Sequence, residues 1–358
     1  MSQKLRAGIL GGTGMVGQRF ITLLENHPWF EVVSIAASPR SAGRTYEEAL
    51  EGRWKIDVQM PERVKNIKVK NVADVDAVSD EVDVVFCAVD MKKDEIKELE
   101  EKYARCDVPV ISNNSAHRWT DDVPMIIPEV NPHHAAIIEK QRKRLGTKRG
   151  FIAVKSNCSL QSYVPPVHVL KGFEPQKILA CTYQAISGAG KVFSEWPEII
   201  DNVIPYIGGE EDKSENEPLK IWGQIDGDRI VKAQGPDISA QCYRVPVQDG
   251  HMAAVFVSFA KKPSKDEIIS LWKEFKGRPQ ELGLPSAPAN FITYFEEADR
   301  PQTRLDRNVE NGMGISVGRL NDDKLFDYRF VCLSHNTIRG AAGGGVLMAE
   351  LLKAEGYL

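Results

Sequence analysis

The chain has 358 residues, enough for two domains with separate cores, and its 42% hydrophobic and 27% charged content is that of an ordinary globular protein. A formal net charge of −4 leaves no basic surplus of the kind that nucleic acid or an acidic membrane surface attracts, so neither is an expected partner. No apolar run nears the ~20 residues of a membrane span, and the opening MSQKLRAGILGG lacks the apolar core of a secretory signal, which predicts a cytoplasmic protein.

The first part of the chain alternates short apolar strands with amphipathic helices. Strands are predicted over 7–10, 32–37, 83–89 and 109–112, with helices over 14–26 and 92–103. Run-like strands alternating with helices predict a parallel sheet covered on both faces. After Ser156 the texture changes to longer strands, over 177–186, 239–246, 252–260, 314–320 and 327–333. Helices are predicted over 194–203 and 265–275, and the acidic, turn-rich stretch 208–218 reads as a surface loop. The Gly/Ala-rich stretch from 336 leads into a helix that packs back on the first unit. The fold class is therefore α/β: a Rossmann-like dinucleotide-binding domain with a parallel sheet, plus an α+β domain with a mixed sheet. The predicted division is 1–156 with 337–358, and 157–336.

Gly12-Thr13-Gly14-Met15-Val16-Gly17 matches G-x-G-x-x-G directly after a strand and at the start of a helix. Dinucleotide binding needs glycine there for a tight turn, for approach of backbone to the pyrophosphate, and for close helix–strand packing. The helix N-terminus then offers free N–H groups to phosphate. At the tip of the second strand, where NAD sites carry an acidic residue for the ribose, the chain has Ser38, Arg40 and Ser41. Hydroxyls and a guanidinium suit a 2′-phosphate, so NADP(H) is the predicted cofactor, although Arg40 also fits a solvated loop.

Of the six cysteines none forms a C-x-x-C pair, and no histidine cluster beside them has metal-ligand spacing, so no metal is expected. Cys87, Cys181 and Cys332 lie in apolar runs and read as small buried hydrophobes. Cys158 differs: Ser156-Asn157-Cys158-Ser159 joins a strand over 151–154 to a helical stretch over 160–170. The positive end of a helix lowers a thiol pKa, so this position predicts a nucleophile. His251, at a turn seven residues after Arg244, is the candidate proton partner. Histidines on turns are more often merely solvated, and the residue types alone leave its role open.

Taken together, GILGGTGMVG, SPRSAGR, NNSAHRW, PEVNP, SNCS, YQAISGAG, ENEPLK, RVPVQDGH and HNTIRGAAGGG resemble, in order and over essentially the whole chain, the aspartate-semialdehyde dehydrogenases of the archaeal and fungal branch. The resemblance implies NADPH-dependent reduction of L-4-aspartyl phosphate to L-aspartate 4-semialdehyde with release of phosphate, in the biosynthesis of lysine, threonine, methionine and isoleucine. It implies Cys158 as nucleophile, Gln184 as the group orienting a thioester, and His251 as acid/base. Arg244 would grip the substrate α-carboxylate, Glu217 would face its ammonium, and Arg118 with Lys220 would bind phosphate. Ser187, Gly188 and Asn336 would contact the cofactor. A homodimer or homotetramer is also implied.

Two other readings remain at this stage. Malonyl-CoA reductase shares the cysteine, the histidine turn and NADPH; the E-x-x-K spacing of Glu217 and Lys220, with Gln184, favours the amino-acid substrate. A non-enzymatic NADP-binding sensor would share the scaffold but have no use for an activated thiol. N-acetyl-glutamyl-phosphate reductase is a poorer match around SNCS and RVPVQDGH.

Overall fold

The computed structural model describes residues 3–358. A seven-stranded sheet carries the first part of the chain. Leu5–Leu10 pairs in parallel with Phe30–Ala37 on one side and Val84–Cys87 on the other, and the sheet continues outward through Val110–Ser112, Ile152–Lys155 and Met125–Ile126. Lys70–Asn71 forms the opposite edge. The central strands read as unbroken apolar runs because both faces are covered; Val84, Val85, Phe86 and Cys87 are all buried. The helix Met15–Leu24 follows the first strand directly and buries Phe20, Ile21 and Leu24.

The second sheet has six strands in the order Asp237–Arg244, Pro175–Gln184, His251–Phe259, Tyr328–Ser334, Ile315–Asp322 and Ile292–Phe295. It is mixed: the first two strands and the last two run parallel, and the three pairs between them run antiparallel. Register matters here. Arg244 stands opposite Gln184, and Met252 opposite Tyr183, so Gln184, Arg244 and His251 end up at one edge of three neighbouring strands.

The C-terminal helix Gly343–Ala354 buries every residue from Gly343 to Leu352. Its glycines let it approach closely: a Cβ on Gly345 would sit 3.0 Å from the Phe20 ring. Its Val346, Leu347 and Leu351 share one hydrophobic cluster with Phe20, Phe86 and Ile111 of the parallel-sheet side.

Two element expectations are corrected. Residues 208–218 are not a loop; Glu210–Ile221 is a helix. Glu210, Glu211 and Asp212 in its first turn complement the helix dipole, and Ser214, Glu217, Pro218 and Ile221 form a buried face. Conversely, 194–203 is not one helix. It breaks into the short 3₁₀ turns Phe193–Glu195 and Pro197–Ile199, since Pro197 lacks the N–H needed to continue the first turn.

Candidate active site

The dinucleotide loop is built as its glycines require, with one shift of phase. The residue that takes a positive φ is Gly11, at +83°, one position ahead of the motif. A Cβ there would meet the Ala88 carbonyl oxygen at 2.4 Å. At Gly17 a Cβ would lie 2.3 Å from the Gly11 oxygen, so the helix can abut the loop only with glycine in this place. The loop is braced from behind by Tyr46, whose hydroxyl donates to the Gly12 carbonyl at 2.7 Å, and by Gln18, whose amide donates to Thr13. Gly14 caps the helix without a side-chain hydrogen bond, and no acidic residue occupies its first turn. These features fit a pyrophosphate: free N–H groups, no competing carboxylate, and glycine where a Cβ would collide with backbone. Thr13, Met15 and Val16 are partly exposed around the loop. At the tip of the second strand Ser38 and Arg40 are exposed, whereas Ser41 is buried, its backbone N–H turned back onto the Ser38 carbonyl.

One cavity of about 280 Å³ joins this loop to the cysteine. Val16 lines it from the dinucleotide helix, Asn114 and Arg118 from the segment after Val110–Ser112, and Cys158 from the turn after Ile152–Lys155. Gln184, Ser187, Gly188 and Arg244 close it from the mixed sheet, and Asn336 from the segment after Tyr328–Ser334. The C-terminal edge of the parallel sheet therefore faces one edge of the mixed sheet, with the pocket between them.

Cys158 lies two residues before the first helical residue, Leu160. Asn157 shapes the turn: its Oδ1 accepts from the Ser159 N–H and hydroxyl, while its Nδ2 donates to Glu210. The expected low thiol pKa is corrected. Burial and the Glu210 carboxylate push the Cys158 thiol up to about 11, against the opposing charges of Lys155, Arg118 and Arg244. Desolvation outweighs the helix end here.

His251 is fully buried, immediately behind Gly188, where a Cβ would come within 3.0 Å of its Nε2. Its Nδ1 accepts from the Ala185 N–H, so the neutral ring carries its proton on Nε2, which has no partner in the protein. Burial, with Arg244 nearby, brings its pKa down to about 3. The buried ring is thus held in its neutral form. Arg244 donates to the Ala185 carbonyl at 2.6 Å and presents the rest of its fork to the cavity. Asn336 donates to the Ser187 hydroxyl and accepts from the Gly250 N–H.

The expected polar pair on the acidic helix is displaced by two turns. Glu217 and Lys220 do not line the cavity. Glu217 is fully buried, accepting from Arg118 at 2.8 Å and from the Asn157 N–H at 2.7 Å. Lys220 spends its three protons on the carbonyls of Arg118, Thr120 and Val123, and burial pulls its pKa down to about 8. The residues on the cavity wall are Glu210 and Lys213, with the same spacing seven positions earlier and joined at 2.7 Å. Burial alone would raise the Glu210 carboxyl; Lys213, Asn157 and Gln184 outweigh it and hold it below its ordinary value. Seven residues are nearly two helical turns, so both pairs share a face and only depth along the helix separates them. The same E-x-x-K spacing marks Glu210 and Lys213 in the sequence, but the turn-forming composition of 208–218 masks the helix that carries them.

A dinucleotide loop sharing one cavity with a thiol and a cationic lining defines an oxidoreductase of the semialdehyde dehydrogenase class. Residues 6–138 match the semialdehyde dehydrogenase NAD-binding domain, and residues 168–339 match its dimerisation domain. The chain belongs to the aspartate-semialdehyde dehydrogenase family. It is 43% identical to the aspartate-semialdehyde dehydrogenase of Aspergillus fumigatus, with 99% of each chain covered. It is 42% identical to that of Methanothermobacter thermautotrophicus, over 97% of this chain and 99% of that one. The crystal structure of the Candida albicans enzyme with NADP superposes with a TM-score of 0.89 at 39% identity, covering 99% of this chain and 100% of that one.

Proposed function

We propose that this chain reduces L-4-aspartyl phosphate to L-aspartate 4-semialdehyde with NADPH, reversibly, carrying the acyl group as a thioester on Cys158. The observation that carries this reading is the continuous cavity from Val16 to Cys158, lined by Arg118, Lys213 and Arg244. An anionic substrate with two acidic ends finds three cations in the same cavity as the thiol.

Attack by the Cys158 thiolate forms the C–S bond and breaks the bond to the phosphate oxygen, so phosphate leaves. When bound, the nicotinamide would supply the hydride that reduces the acyl carbon; the C–S bond then breaks, releasing the semialdehyde and returning the Cys158 thiolate. His251 does not itself line the cavity; its Nε2–H, buried and without a partner directly behind Gly188, is the donor that would reach the oxygen as charge develops on it. Gln184, its amide nitrogen donating to Glu210 and Thr182, lines the same cavity as Cys158 and would orient the thioester. Arg244 holds the α-carboxylate, and Glu210, rather than Glu217, pairs with the ammonium. Arg118 and Lys213 take the phosphate, with Glu217 and the Lys155 carbonyl fixing the Arg118 fork. The loop over 12–17, with Ser38 and Arg40, holds NADP, and Ser187, Gly188 and Asn336 contact it near the reacting ring. In this reading residues 1–156 with 337–358 bind cofactor, residues 157–336 supply catalysis and the subunit interface, and the enzyme is a cytoplasmic homodimer or homotetramer serving amino-acid biosynthesis.

The test follows cofactor absorbance with purified protein, NADP, inorganic phosphate and L-aspartate semialdehyde, beside a reaction offering NADPH and malonyl-CoA. Phosphate-dependent NADPH formation is expected, and it should vanish in Cys158→Ala while NADPH binding persists. Turnover with malonyl-CoA alone would transfer the assignment to a coenzyme A thioester substrate. Full turnover in Cys158→Ala would sink the thioester route.

A further inference from the structure

Lys155 closes the strand Ile152–Lys155, three residues before Cys158, and the reaction outlined above makes no use of its side chain. It is 1% exposed, and its Nζ is buried without a hydrogen-bond partner. A buried ammonium normally finds a carboxylate or several carbonyls, as Lys220 does with three. Lys155 has neither.

What surrounds it is a surface shaped to admit it. Gly340 and Gly344, one helical turn apart, present a bare stripe to the segment 155–158. A Cβ on Gly344 would lie 2.5 Å from the Lys155 Cε, and a Cβ on Gly340 would lie 3.0 Å from the Cys158 Cβ. The lysine stem and the cysteine thus both pack against that stripe. The ionisable groups around Lys155 are Arg339 from the C-terminal turn, Arg118 from the segment after Val110–Ser112, Glu217 from the acidic helix, and Cys158. Glu217 is already engaged by Arg118 and Asn157. Cys158 is the one acidic group left to answer the lysine.

We propose that Lys155 is a positioning residue whose buried ammonium stabilises the Cys158 thiolate from behind the nucleophile. The inference rests on Cys158 being the nucleophile. A neutral thiol beside a neutral amine becomes a thiolate beside an ammonium with no change in the number of protons the pair holds. One proton leaves Sγ, one is gained at Nζ, and the buried pair acquires no net charge. Burial and Arg339 lower the Lys155 pKa to about 7, so the amine is poised to take that proton once a negative charge forms beside it. Glu210 opposes the thiolate from the other side of the cavity, and Arg118 and Arg244 support it from the wall.

The test is the rate of Cys158 alkylation by iodoacetamide between pH 7 and 10, followed by peptide mapping, in wild type, Lys155→Met and Lys155→Arg. Alkylation tracks the thiolate fraction, so loss of the cation should slow it about tenfold across this range. Lys155→Arg should restore most of the rate. The Met variant should melt at or above the wild-type temperature, because a buried amine without a hydrogen-bond partner is replaced by an apolar side chain; a merely structural lysine would give the opposite. Lys155→Leu replaces Met if the latter does not fold. An unchanged alkylation profile in a folded Met or Leu variant overturns the proposal. The readout needs no turnover, so it stands apart from the fate of the thioester reading, which Cys158→Ala decides.

Discussion

Gly188 shows how much of the site depends on a side chain that is not there. A Cβ would lie 2.9 Å from an Arg244 nitrogen and 3.0 Å from His251. Gly188→Ala should therefore push the guanidinium and the ring off their positions, lowering kcat/KM at least tenfold while the melting temperature moves little. Steady-state kinetics beside a thermal melt would check this, and wild-type kinetics would remove the contact from the mechanism. The two acidic residues of one helix face should separate in the same way. Glu210→Gln removes a cavity carboxylate and should cost substrate use without unfolding the chain. Glu217→Gln leaves Arg118 buried without its partner, a loss on the order of 3–5 kcal/mol, so its first effect should be on stability. A melt of the two variants distinguishes them; equal stability would show that Glu217 is not the structural member. Residue types made Cys158, Arg244 and His251 legible as candidates before any fold was known. The protonation states were not legible, because burial sets them and burial is a tertiary property.

At the scale of elements, the turn before the C-terminal helix is wider than an α-helix. Gly340 and Ala342 donate to His335 and Thr337, each five residues back. Within this turn Arg339 is fully buried, paired with both oxygens of Glu129 and donating to Gln161, which in turn donates to the Ser156 hydroxyl. A chain of buried bonds thus runs from the C-terminal turn to the residue two before the nucleophile. The glycines that follow are there for packing. In an exposed helix Gly→Ala gains about 1 kcal/mol from propensity. At Gly344 the new Cβ would meet the Arg339 carbonyl at 2.5 Å, and overpacking of this kind costs about 1–3 kcal/mol. Gly344→Ala should therefore lower the melting temperature, and a rise would mean that the backbone relaxes freely. The Gly/Ala-rich run was visible in the sequence as a helix returning to the first unit. The acidic helix over 210–221 was hidden because its turn-forming composition outweighed a buried face that only the partner surfaces reveal.

At the scale of the whole molecule, buried neutral histidines tie stability to pH. Burial lowers His117, His134, His251 and His335, the last three to about 4, 3 and 4, from an ordinary value of 6.5. Below about pH 6.5 the unfolded chain takes up protons that the folded chain refuses. Stability should hold above that pH and fall as pH drops toward 4, each histidine adding up to about 1.4 kcal/mol per pH unit. Chemical denaturation at pH 8, 6.5 and 5 would test this; a midpoint unchanged at pH 5 would contradict it. Among the described residues no helix is long and apolar enough to cross a membrane.

The amino-acid sequence by itself determined the parallel sheet, the dinucleotide loop and the polar turn around Cys158, since period, glycine spacing and flanking residues are local signals. It also contained both E-x-x-K pairs of the acidic helix without distinguishing them. Tertiary structure decided which pair reaches the cavity, which face of His251 carries the proton, and that Lys155 lies beside Cys158 with no other partner. Those outcomes depend on depth, register and solvent exclusion, which arise only when two sheets and the C-terminal helix close around one pocket.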